Sequence, residues 1–240
     1  MSEEIEIIVL TAAAGICMPI GGVIARVERI RPRWLETEFR HFIIAFGGGL
    51  LLGAVFQVLL PQGTLLMGDT TLSVFVFIFG GCLFFALERS LGLTRRESPQ
   101  LSAMLLDYVP ESIALGGLVA TQPKLAVVLA VIIGLQNLPE GFNAYRELSG
   151  NEPRPSGRPL RFMFFLVPIG PIAGLSAHFG LSGQPSVLGI IMLLASGGIV
   201  YLMFQDIAPQ SKLRRHWAPP LGAVFGVGVT LLTELWVAGA

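Results

Sequence analysis

The chain has 240 residues, no net formal charge, 53% hydrophobic residues and only 13% charged ones. A soluble domain of this length carries about 25% charged residues, so a water-facing globular domain is excluded. Mean hydropathy is +0.71, and long apolar runs broken by short charged connections indicate a polytopic helical membrane protein.

The apolar runs place eight spans at roughly 5–25, 41–61, 71–91, 100–121, 124–145, 161–180, 185–208 and 217–238, each near the length a bilayer core demands. They use most of the chain, so residues 1–240 read as one transmembrane domain, an all-α bundle whose first partner is the lipid bilayer. The first span follows an acidic start, MSEEIEI, without the basic n-region of a signal peptide, and is expected to be retained. The second carries GGG at 47–49 and closes with FQVLLPQ (56–62). Cys17 and Cys82 fall within the first and third spans at no metal or redox spacing and read as small packing residues. The fourth span is interrupted by DYVPES (107–112) and the fifth by QNLPEG (136–141). SGNEPRPSGRP (149–159), rich in Pro and Gly, reads as a loop joining two halves. The sixth span contains GPIAG (170–174), and the seventh carries SGG at 196–198 and closes with FQDIAPQ (204–210).

Orientation follows from the bases. Of the 16 Lys and Arg residues, all but Lys124 flank or lie in the odd-numbered connections. Those connections are therefore expected to be cytoplasmic and both termini outside, in a cell membrane, with a prokaryotic inner membrane as the expected setting. The bases form no cluster dense enough to suggest nucleic acid.

Internal similarity is the next signal. FQVLLPQ and FQDIAPQ match, and each follows a Gly-rich stretch at a similar distance. The spans that carry them run in opposite directions, so the repeat is inverted. DYVPES and QNLPEG form a second inverted pair on the fourth and fifth spans. Nested inverted pairs on interrupted helices suggest a secondary transporter with its site at the repeat interface.

The polar residues of that inner pair sit at helical spacing. Asp107 and Glu111 are at i and i+4 and share one face, as do Gln136 and Glu140, with Asn137 beside them. Pro110 and Pro139 lack an N–H and free the carbonyls of Leu106 and Leu135. A charge at the bilayer centre costs several kcal/mol unless paired or hydrated. No Lys or Arg lies at that depth, so the counter-charge must be a cation, protons or water. Facing the two helices together gives an oxygen-rich site suited to a divalent cation. The plainer reading is a pair of Pro kinks whose Glu residues are protonated and hydrogen-bonded. Tyr108, Gln57, Gln205 and Asp206 are candidates for a further polar pathway.

QNLPEG closely resembles the HNxPEG motif of the ZIP family of divalent metal transporters, and DYVPES resembles its counterpart on the neighbouring helix. The likeness extends over nearly the whole chain, through FGGGLLLGAVFQVLLP, GPIAG and ASGGIVYLMFQDIAP. The resemblance implies uptake of zinc, iron or manganese as transported substrate, with no prosthetic group. It also implies a 3+2+3 helix arrangement and an elevator-like movement. Glu111, Asn137 and Glu140 match family ligands. Asp107 and Gln136 stand where the family usually has His, and Tyr108 where it has Asn. Gly170 stands where it often has Glu. Asp206 matches a common acidic position, but its partner position is Val58. Oxygen ligands suit harder ions better than imidazole does, and one retained site implies single-ion passage.

Three rival readings stand beside this one. GLSG (180–183) resembles a rhomboid nucleophile motif, but the only later His is His216 in a loop on the opposite side, and no HExxH is present, so no enzyme is expected. A ZIP-like scaffold that binds or senses metal without transport, or one that carries another cation, remains an alternative. Gly-rich faces permit close packing within one chain or between two copies as a homodimer.

Overall fold

The computed structural model describes residues 2–27, 38–91, 99–149, 157–181, 183–213 and 217–239. Arg29, Arg31, Arg33, Arg95, Arg96, Arg154, Arg214, Arg215, His216, Ser182 of the GLSG stretch and the middle of the 149–159 loop lie outside the described residues. Apolar composition and the need to satisfy every backbone group internally drive the chain into helices. They are α1 (Glu3–Val27), α2 (Arg40–Met67), α3 (Thr70–Leu91) and α4 (Pro99–Val119), then α5 (Pro123–Ser149), α6 (Arg158–Gly180), α7 (Pro185–Gln210) and α8 (Leu221–Gly239). No strand occurs among the described residues.

Six of these, α1, α2, α3, α5, α6 and α7, are long and apolar enough to cross a membrane. In α8 the apolar stretch is the shorter Leu221–Val237. Asp107 and Glu111 lower the hydropathy of α4. Large apolar side chains such as Phe75, Phe79, Phe165 and Trp236 point outward on α3, α6 and α8, as a multi-pass membrane protein requires. The chain turns sharply at Gly68 and Gly183, whose φ values of 75° and 78° are left-handed and favour glycine.

Glycine decides which helices meet. A Cβ on Gly141 of α5 would collide with the Met18 carbonyl of α1, and one on Gly21 of α1 with the Leu138 carbonyl of α5. Gly116 of α4 meets the backbone of Gly174 in α6, and Gly197 of α7 meets Phe77 of α3. Gly49 of α2 meets Ala223 of α8, and Gly63 of α2 packs on Gly189 of α7. These backbone contacts pair α1 with α5 and α4 with α6, and join α2, α3, α7 and α8. The Tyr108 side chain of α4, packed on Gly15 of α1 and Gly170 of α6, links the two pairs into one group of α1, α4, α5 and α6 beside the group of α2, α3, α7 and α8. Between the groups, Gly47 and Gly117 instead face side chains, those of Pro139 and Leu188.

Both FQ segments are π-helical, at Ala54–Leu59 and Met203–Ile207. The N–H of Leu60 reaches the carbonyl of Val55, and that of Ala208 reaches Met203, five residues back in each case. Pro61 and Pro209 follow directly. A proline has no N–H to offer the carbonyl four residues before it, and the preceding turn widens to compensate. Pro110 and Pro139, by contrast, sit inside continuous α-helix.

The glycine contacts make a direct prediction. Gly141→Ala forces α1 and α5 apart and should cost about 1–3 kcal/mol as an overpacked core does. Gly228→Ala, where nothing lies within 4 Å of the new Cβ, should stay within about 0.5 kcal/mol. Thermal melts of the detergent-solubilised chain check this, and equal melts would remove the glycine seam from the account.

Candidate functional site

The polar centre forms where α4 and α5 face each other. Asp107, Glu111, Gln136 and Asn137 are all at most 3% exposed, and Glu140 is 8% exposed. Gln136 Nε2 donates to both carboxylate oxygens of Glu111, at 2.8 and 3.0 Å. The i, i+4 spacing on each helix brings the two faces together, and one cross-helix pair forms between Gln136 and Glu111, both of which were expected as ligands. Asp107 lies within electrostatic reach of both Glu140 and Glu111.

The two remaining carboxyl groups have a different environment. Asp107 and Glu140 line a small cavity of about 10 Å³, walled by Leu51 of α2, Met104 of α4 and Ile199, Leu202 and Ile207 of α7. That is close to the volume of a single water-sized probe. Asp107 Oδ1 and both carboxylate oxygens of Glu140 are buried without a hydrogen-bond partner. So are Gln136 Oε1 and Asn137 Oδ1. Buried polar atoms without partners are rare and call for a ligand, an ion or a water. The cavity also lies at the contact between the two helix groups, with both carboxyl groups contributed by one group and most of the apolar wall by the other.

The expected ligand set is only partly assembled. Among the described residues no three His, Cys, Asp or Glu side chains stand close enough to hold a metal ion as they are. Glu111 is engaged by Gln136. Asn137 Nδ2 donates to the Ala14 carbonyl of α1 at 2.9 Å, which fixes α1 beside the centre. Gln57 is outside it, donating to Thr230 Oγ1 of α8 at 2.7 Å. Gln205 is exposed. Asp206 is half-buried and faces Glu88 and Tyr201.

Tyr108 has a position that spacing could not reveal. Its hydroxyl donates to the Thr11 carbonyl at 3.1 Å, with the Val167 carbonyl at 3.4 Å. A Cβ on either Gly15 or Gly170 would collide with that hydroxyl. The phenol therefore fills a space that exists because both neighbours are glycine. Sequence reasoning also missed Glu88, a buried carboxyl of α3 that accepts a hydrogen bond from Tyr201 of α7. Its signal was present, as a lone acid at the end of an apolar run.

Comparison with protein-family models finds no match, and comparison with curated proteins finds none either.

The Tyr108 contact can be tested by a double-mutant cycle. Gly170→Ala should destabilise the chain by about 1–3 kcal/mol, and most of that cost should vanish in a Tyr108→Ala background. Additive costs would mean that the two residues do not share the space.

Proposed function

We propose that the chain is a membrane transporter that carries a divalent cation, with Asp107 and Glu140 as the carboxylates that meet it. The observation that carries this reading is the set of buried, unpartnered carboxylate oxygens around a cavity that no basic side chain lines among the described residues. An oxygen donor set suits manganese or ferrous iron comparatively better than an imidazole set would, while zinc remains favoured in raw affinity. Glu111, held by Gln136, tunes the charge of the centre and stands one turn from Asp107.

On this reading all of α1 to α8 cross the membrane, with both termini outside and net transport toward the cytoplasm. The matching π-turns before Pro61 and Pro209 support the inverted relation of α2 and α7, and the resemblance to ZIP transporters supports the direction. The site's location supports an elevator-like movement. Glycine contacts at backbone distance hold α1 to α5, α4 to α6 and α2, α3, α7 and α8 together. Tyr108 packed on Gly15 and Gly170 links the first two pairs, whereas the site lies between the two groups. A rigid shift of α1, α4, α5 and α6 against the other four would open it to either side in turn. The second reading, binding without transport, is favoured by the engaged Glu111 and by the lack of three converged ligands among the described residues.

Proteoliposomes loaded with a metal-sensitive dye separate the two. Zinc, manganese and ferrous iron are offered singly. Asp107→Asn and Glu140→Gln keep size and remove charge, and each should lower uptake at least about tenfold, since a lost charged contact costs more than about 1.4 kcal/mol. Unchanged uptake in both variants would put the cation elsewhere, and no uptake in the parent chain, with metal still bound, would favour the binding protein.

The orientation is tested separately. Thr70 and Gln184 are exposed and lie at the starts of α3 and α7. Cysteines placed there, in a chain with Cys17 and Cys82 replaced by Ala, should react with an impermeant thiol reagent applied to intact cells. Reaction only after permeabilisation would reverse the orientation.

A further inference from the structure

A second cavity, of about 320 Å³, opens between α1, α2 and α5. Its walls are apolar, formed by Ile24, Ile43, Leu138, Pro139 and Phe142 among others, and Arg40 and Arg146 line it too. Both arginines stand at one end, since Arg40 begins α2 and Arg146 lies in the last turns of α5. Arg146 is held over the Phe142 ring, 5.0 Å from its centroid. The cleft therefore has an apolar body with two arginines, Arg40 and Arg146, at one end.

We propose that this cleft seats an anionic phospholipid of the adjacent leaflet, with one acyl chain along Ile43 and Phe142 and its phosphate between Arg40 and Arg146. Water gains nothing from such walls, whereas an acyl chain fills them at no cost in polar contacts. Guanidinium groups are the side chains best shaped to grip a phosphate, and basic pockets between membrane helices select anionic head groups. The two arginines belong to different helix groups. The lipid would thus bridge the contact at which the carboxylate cavity also lies, against the helix that carries Glu140. The inference concerns lipid binding and stands whether or not the chain transports metal.

The test uses the full chain, purified and delipidated, then titrated with dioleoyl-phosphatidylglycerol or dioleoyl-phosphatidylcholine. Native mass spectrometry counts the bound lipid and a thermal melt reads its effect. The parent chain should retain phosphatidylglycerol at least about tenfold better, two arginines each adding about 1 kcal/mol, and should melt higher with it. The double variant R40Q/R146Q should lose that preference to within about threefold. Arg161→Gln, an exposed base outside the cleft, should leave it unchanged. Should R40Q/R146Q fail to fold, Ile43→Trp decides, because it fills the cleft and keeps both arginines. It should abolish the retained phosphatidylglycerol. A preference that survives Ile43→Trp, that falls equally with Arg161→Gln, or that is missing from the parent chain overturns the proposal. So does displacement by millimolar glycerol phosphate, which would make a soluble phosphate ester the occupant.

Discussion

Two carboxyl groups facing an apolar wall constrain everything around them. Asp107 and Glu140 are buried against Leu51, Ile199, Leu202 and Ile207, and among the described residues no basic side chain lines their cavity. Uncompensated charge at the bilayer centre costs about 2.5–3.5 kcal/mol per residue by insertion scales. A sequence that retains two such groups side by side must have something else to neutralise them. The surrounding structure manages the remaining polar atoms locally: Gln136 holds Glu111, and Ala14 accepts from Asn137. What is left over is a small number of oxygens aimed at a space of single-ion size.

The second constraint is mechanical. Backbone-to-backbone contact through glycine leaves little freedom, because neither helix can rotate or slide without meeting a carbonyl. Those contacts tie α1 to α5, α4 to α6, α2 to α8 and α7 to both α2 and α3. Where the two groups meet, Gly47 and Gly117 face only Pro139 and Leu188 side chains, which adjust more easily than backbone. The contact between the two groups contains both the carboxylate cavity and the arginine-lined cleft. Ile207, in one π-turn, lines that cavity, and wide turns of this kind recur at functional positions.

Helical class and the positions of the helices could be read from hydropathy, because length and apolar run are what a bilayer selects. The α4/α5 pairing of polar residues was also legible, since i, i+4 spacing fixes a face whatever the tertiary context. What the spacing could not tell was which neighbour each polar atom finds. Gln136 and Glu111 bond each other, although both were expected as ligands, and Asn137 turns to α1. Gln57 and Gln205 are equivalent by repeat, yet one bonds Thr230 and the other is exposed. The π-turns were hidden because Pro normally signals a kink or an end, and only the tertiary setting chooses between those and a widened turn. Tyr108 was read one residue at a time, so its dependence on Gly15 and Gly170 could not emerge.

The charge count also bears on what the cavity can accept. Asp107 and Glu140, when ionised, carry two negative charges, which one divalent cation matches. The Gln136 amide is neutral and cancels no charge, so the centre as a whole is neutral only with a proton on Glu111. A monovalent ion would leave one charge facing Leu51 and Ile199, and an empty ionised pair would leave two. On the proposed transport reading, the groups must slide past each other with the site enclosed. Two uncompensated charges at about 3 kcal/mol each would make that enclosed state on the order of 10⁴-fold rarer. The empty site therefore crosses only with protons or water in place of the ion. On that same reading the apolar wall from α2 and α7 penalises any unmatched charge, because its side chains offer no dipole that could stand in for the missing ion.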